Sequence, residues 1–298
     1  VRVGDATALA PVIKLFTFTA EGFTEQDLKS LEDVPASSAM NGIAWLDIDG
    51  LDDEKVIHAV GERFCLQPLL LEDVLNFDHR PKLEEYQDTL FVVAKMLSLD
   101  EETGGIDMEQ VSFVLSKGTL ISFQERPGDI LDPIRERIRK NLGRVRKHNA
   151  DYLLYALLDV IVDNYFLIVE NVGERIQELE RKVTVRPGNE DLLTIQEIRS
   201  LLITVNRYVT PTRELAGRLN TVQSELIEKG TRRYINDLQD HTVYIADSIN
   251  TFRDMLTNLE NTYHAGVNMR MGQVMKLLTV ISTIFIPLAG WLTERAGW

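Results

Sequence analysis

No proline interrupts the chain between Pro211 and Pro287. Within that run Ile235, Leu238, Thr242, Ile245, Ile249, Phe252, Leu256, Leu259 and Tyr263 are spaced alternately by three and four residues. Such alternation predicts one helix with a single apolar seam over about four heptads. A helix from about Thr231 to Leu288 would be about 85 Å long at a rise of about 1.5 Å per residue. That length cannot fold back into one compact domain. The spacing therefore predicts a stalk whose seam needs partners.

The stalk runs into an apolar stretch. After Lys276 the chain reads LLTVISTIFIPLAGWLT, 17 residues without a charge, followed by Glu294 and Arg295. A membrane span needs about 20 residues. The stretch is uncharged on every face, contains Pro287 and Gly290, and has Trp291 near its end, as interfacial aromatics do in membrane helices. It is read as a partial transmembrane helix over residues 276–293. The alternative is the buried core helix of a soluble protein.

Upstream, the signals are mixed. Val12–Phe18, Ile43–Asp49, Leu90–Leu97, Gln110–Ser116 and Thr119–Gln124 are rich in β-branched and aromatic residues, and Lys117-Gly118 makes a tight turn between the last two. Asp53–Arg63 and Pro68–Leu75 read as short helices. Strand signals stop near residue 145. From Ala150 to about Arg181 the apolar residues recur at helical spacing, and Pro187-Gly188 breaks the pattern. A second helix is expected from about Glu190 to Val209, ended or kinked by Thr210-Pro211. The fold class is α+β: an N-terminal α/β/α sandwich domain (1–145), a long antiparallel helical hairpin (146–230), a stalk helix (231–275) and the partial transmembrane helix (276–293).

The 298 residues carry a net charge of −14. This argues against a nucleic-acid partner, which needs a basic face, and suits cations. Cys65 is the one cysteine, so no internal disulfide can form and a zinc–thiolate centre is disfavoured. The start lacks the basic and apolar segments of a signal peptide. No phosphate loop, nucleophile elbow or catalytic motif occurs, so no enzyme is expected.

The informative polar groups are carboxylates. Glu72-Asp73 ends a short apolar helix. Asp159 and Asp163 lie four apart in the very apolar run YLLYALLDVIVDNYF. There, a buried charge must be paired, neutralised or metal-bound, unless the position reaches water at the edge of the face. Asp237, Asp240 and His241 sit on the stalk, and Asp240, Asp247 and Asp254 are heptad-equivalent. In a parallel oligomer such a stripe would face neighbouring copies and repel them unless cations bridge it. Oxygen-rich sites of this kind suit hard ions such as Mg²⁺ or Ca²⁺.

Five segments, PLLLEDVLNFDHRPKLEEY, FQERPGDILDPIRERIR, DYLLYALLDVIVDNYF, DHTVYIADSINTFRDM and VMKLLTVISTIFIPL, together resemble the CorA family of magnesium channels, in the family's order along nearly the whole chain. The resemblance implies a homopentamer in the inner (plasma) membrane. This portion would be cytoplasmic, and the stalk would continue into a pore-lining membrane helix. It implies regulatory Mg²⁺, or Co²⁺ or Ca²⁺ in its place, between neighbouring subunits. Asp73 falls on the primary interface carboxylate and Asp237 on its partner across the interface. Glu72, Asp159 and His241 fall around a second regulatory site, and Met275, Leu278 and Ile286 on the hydrophobic constriction of the pore. On that basis a bound cation would latch Asp73 of one copy to Asp237 of the next. The family's Gly-Met-Asn signature is absent, since AGWLTERAGW follows Leu288, so ion selectivity is not readable. A zinc or cobalt/nickel transporter of the same superfamily remains open, as does a coiled-coil scaffold without a transport role.

Overall fold

The computed structural model describes residues 11–28, 30, 31, 34, 42–100, 104–126, 128 and 130–295, with side chains through 287. Seven strands, β1 (Val12–Phe18), β2 (Phe23–Leu28), β3 (Ile43–Asp49), β4 (Lys82–Tyr86), β5 (Thr89–Leu99), β6 (Ile106–Ser116) and β7 (Thr119–Gln124), form one sheet in the order β2-β1-β3-β7-β6-β5-β4. All neighbours are antiparallel except β3 and β7, which are parallel. Six helices accompany them: α1 (Glu54–Phe64), α2 (Pro68–Leu75), α3 (Asp132–Arg139), α4 (Ala150–Val185), α5 (Asn189–Thr221) and α6 (Lys229–Arg295).

The chain divides into two compact units, one of residues 1–169 and 203–249, the other of 170–202 and 250–298. The division falls inside the long helices.

In the first unit, side chains alternate across the sheet. Leu15, Leu46, Ile48, Phe91, Val93, Ile121 and Phe123 face one way and pack with Ile57 and Val60 of α1 and Leu70 and Val74 of α2. A Cβ on Gly61 of α1 would stand 2.3 Å from Leu71 Cδ1, so any larger residue there requires the Leu71 side chain to shift. The opposite face is partly polar. Asp47 and Asp49 of β3 meet Ser122 and Gln124 of β7 and Arg135 of α3, all buried. The first half of α4 is buried almost all round, Leu153, Leu154, Leu157, Ile161 and Tyr165 included. It is apolar enough to cross a membrane, but 72% of its most apolar window is covered by protein, which makes it a core helix.

The seam of α6 is covered within the chain. Ile235, Leu238, Thr242, Ile245 and Ile249 are buried in the first unit, and Leu256, Leu259 and Tyr263 in the second. The partners that this seam needs are supplied by the chain's own helices. In the second unit, for example, a Cβ on Gly173 of α4 would meet the Phe252 ring at 2.6 Å. The coverage ends just past Gly266, which lies against Pro187, and Met269, Met271, Val274, Met275, Leu277, Leu278, Val280, Ile281, Ile284, Phe285 and Ile286 are all exposed.

Two long helices contain a proline. α5 runs through Pro211 to Thr221. Proline removes the backbone donor that would reach the Arg207 carbonyl, and the neighbouring Thr212 hydroxyl donates to the Tyr208 carbonyl at 2.8 Å. α6 continues past Pro287 to Arg295.

Candidate metal centre

Asp159 and Asp163 lie one turn apart on α4, and Asp237 and His241 one turn apart on α6. Residues four apart share a helix face, so each helix presents a pair. The two pairs meet within the first unit. His241 Nδ1 stands 4.0 Å from Asp159 Oδ1, and His241 Nε2 stands 3.9 Å from Asp237 Oδ2. Ligand atoms of Asp159, Asp163 and His241 all lie within 4.8 Å of one another. A cavity of about 220 Å³, lined by Val162, Asp163, Phe166, His241, Tyr244 and Ile245, borders the group.

The electrostatics of this cluster are unbalanced. Asp159 Oδ1 is buried without a hydrogen-bond partner. Burial pushes the Asp159 carboxyl above its ordinary range and the charge of Asp163 adds to the shift, while Tyr155, His241 and Arg137 pull the other way. Burial likewise raises Asp163, opposed by His241 and Arg137. The half-buried Asp159 and the exposed Asp163 and His241 thus set two acids against one imidazole, with one buried carboxylate oxygen lacking a hydrogen-bond partner. The donor set of carboxylate oxygens and one imidazole fits a divalent cation.

Asp73 lies elsewhere, at the end of α2, and belongs to a different cluster. Its Oδ2 accepts from Lys82 Nζ at 2.7 Å, and its Oδ1 is 2.7 Å from His79 Nε2, a close electrostatic contact rather than a hydrogen bond. Lys82 also donates to Glu84 Oε1 at 2.8 Å, and Tyr86 donates to Glu84 Oε2 at 2.9 Å. The end of α2 is fixed from below. Gln110 Nε2 donates to the carbonyls of Asp73 and Asn76, and Lys95 Nζ to that of Phe77 at 2.6 Å. Glu72 is exposed on the same helix.

Of the residues singled out in the sequence, one chain thus brings together Asp159, Asp237 and His241, adds Asp163 to them, and leaves Asp73 with Lys82, His79 and Glu84. The spacing of Asp159 and Asp163 already placed them on one face. Lys82 and Glu84 alternate along β4 and share a side of it, but nothing local links them to Asp73. Met275, Leu278 and Ile286 lie on the exposed apolar stretch of α6.

A family model described as "CorA-like Mg2+ transporter protein" matches residues 40–291. The chain belongs to this family. It is 39% identical, over 276 residues, to the cobalt/magnesium transport protein CorA of Thermotoga maritima, covering 93% of this chain and 79% of that protein. It is 23% identical over 257 residues to the CorA of Methanocaldococcus jannaschii, covering 86% of this chain and 79% of that protein. The complete structure of the M. jannaschii magnesium transporter shares the fold, with a TM-score of 0.78 at 20% identity over 96% of this chain and 87% of that one. The α+β class, with a sheet domain followed by long helices, is that of the CorA fold.

Proposed function

We propose that the chain is a subunit of a homopentameric channel that passes Mg²⁺ and related divalent cations across the inner membrane. Residues up to about 268 would form its cytoplasmic, cation-sensing part. The observation that carries the reading is that one helix bears both halves of the device. α6 holds Asp237 and His241 beside Asp159 and continues into an apolar stretch, Leu277–Ile286, that none of the described residues covers. Apolar residues exposed on all sides of a helix call for a hydrocarbon surrounding. Met275, Leu278 and Ile286 would there line the constriction through which the cations pass as substrate.

Asp159, Asp163, Asp237 and His241 would hold a regulatory cation, with Asp73 and Glu72 as the carboxylates offered to a neighbouring copy. Bound there, Mg²⁺ supplies the positive charge that makes close carboxylates tolerable. Without it, a carboxylate pair about 4 Å apart repels by about 1–4 kcal/mol, depending on the local dielectric. The chain then answers by protonation or by separating α4 from α6. Because differential binding is what shifts a conformational balance, a few weak sites repeated around a ring are enough to bias a gate. No enzymatic role is assigned.

The test is thermal melting of the full chain in detergent with and without millimolar Mg²⁺. Added Mg²⁺ is expected to raise the melting temperature, and Asp159→Asn to remove most of that rise. Since burial raises the Asp159 and Asp163 carboxyls, protons compete with the cation, and its effect should weaken as pH falls. A rise in melting temperature that is untouched by Asp159→Asn and independent of pH would sink the assignment. Imidazole among the ligands favours a second reading, in which Co²⁺, Ni²⁺ or Zn²⁺ is preferred. Half-maximal concentrations of these ions far below that of Mg²⁺ in the same melt, lost in His241→Ala, would support it.

A further inference from the structure

We infer that Lys82 is a tethered cation that occupies the Asp73 carboxylate in the metal-free chain and must be displaced before a divalent ion can bind there. The inference rests on the reading of Asp73 as a cation-binding carboxylate and adds what sets its affinity and its choice of charge.

Neither oxygen of Asp73 is vacant. Lys82 Nζ takes Oδ2 and the His79 ring lies against Oδ1, both at 2.7 Å. The backbone at and just after Asp73 is held in place, since Gln110 donates to the carbonyls of Asp73 and Asn76 and the buried ammonium of Lys95 to that of Phe77. The lysine can move. Its head group sits at the end of four rotatable bonds and already touches a second acid, Glu84, at 2.8 Å. Glu84 is in turn held by the Tyr86 hydroxyl. Lys82 can therefore give up Asp73 and keep a counter-ion, so displacement never leaves a partly buried ammonium unpaired, which is what usually makes breaking such a pair costly. The competitor stays within 2.8 Å of two carboxylates, Asp73 and Glu84.

This arrangement selects by charge. A monovalent ion brings no more charge to Asp73 than the ammonium it displaces, and it must also reach a fixed geometry. A divalent ion brings twice as much. An internal ammonium therefore weakens all cation binding at Asp73 but penalises monovalent ions most, a form of specificity obtained by opposing the wrong partner.

The experiment measures the Mg²⁺ concentration giving half-maximal thermal stabilisation of the full chain in detergent, with Na⁺ at about 150 mM as the monovalent probe. Lys82→Met, which keeps the length and removes the charge, is expected to lower the Mg²⁺ midpoint about three- to tenfold and to let Na⁺ alone stabilise the protein. Glu84→Gln, which removes the alternative partner and locks Lys82 onto Asp73, is expected to raise the midpoint. It keeps the question answerable if Lys82→Met does not fold. Asp73→Asn/Lys82→Met should lose the gain. If Asp73→Asn weakens the Mg²⁺ response while neither Lys82→Met nor Glu84→Gln moves the midpoint, the tether is refuted and the Asp73 site stands. If Asp73→Asn changes nothing, both fall.

Discussion

Asp49 shows how a buried residue can couple this fold to pH. It shares a pocket with Asp47, and the two acids face a single guanidinium. Arg135 donates to Asp47 Oδ2 through Nε at 2.9 Å and Nη2 at 2.7 Å, but reaches Asp49 Oδ2 only at 3.5 Å. Lys14 of β1 lies opposite Asp47 in the register, Ser122 donates to Asp47 at 2.6 Å, and Asp132 takes the Arg135 Nη1 at 2.6 Å. One positive charge cannot serve both acids equally. Burial, then the charge of Asp47, pushes the Asp49 carboxyl up to about 7. In an unfolded chain an aspartate titrates near pH 4. The folded chain thus binds the extra proton between those values. The stability this contributes is complete below about pH 4 and is lost as pH rises through about 7. Asp49→Asn mimics the protonated form. Its melting temperature relative to the parent chain should rise between pH 4 and 7, and a pH-independent difference would contradict this.

At the scale of elements, close approach of helices is bought with glycine. Gly61 lets α1 lie against Leu71 of α2, the helix that carries Asp73. Gly61→Ala forces Leu71 to move and should cost about 1–3 kcal/mol, read from denaturant unfolding. An alanine variant with parental stability would show that Leu71 repacks freely. The same scale explains what was legible in the sequence. β1, β3 and β7 coincide with their expected residues, since each is a run of β-branched and aromatic side chains in the middle of the sheet. β2, FTEQDL, and β4, KLEEY, were missed. Both are outer strands whose side chains are mostly charged or polar, so neither bears the apolar alternation that marks a half-buried strand. α3, DPIRERIR, was missed because charged residues occupy most of it, one of them, Arg135, turned inward to the Asp47 pocket.

For the whole molecule, the sequence displayed the α6 seam but not what covers it, because heptad spacing specifies an apolar face and is silent on whether the partner is another copy or another part of the same chain. The candidate site was half legible for a similar reason. Asp159, Asp163, Asp237 and His241 announce themselves as pairs within single helices, whereas Lys82 meets Asp73 only through the fold. The apolar end of α6 was legible as composition, and its exposure from Met269 to Ile286 now separates it from the equally apolar but covered α4. Replacing Ile281 and Ile284 with aspartate puts two charges into that stretch, each costing about 2.5–3.5 kcal/mol at the centre of a bilayer. The variant should be released from membranes by carbonate extraction while the parent chain stays with the lipid. Equal retention of both would mean that this stretch does not anchor the protein.

The two outer strands have a further consequence. The free margins of the sheet are lined by Glu25 and Asp27 on β2 and by Lys82, Glu84 and Glu85 on β4. An open margin offers unpaired backbone groups onto which a second sheet could zip. Here such strand addition would bring ionised side chains of two copies together without solvent to screen them. A second copy can therefore touch these margins without fusing into a continuous sheet.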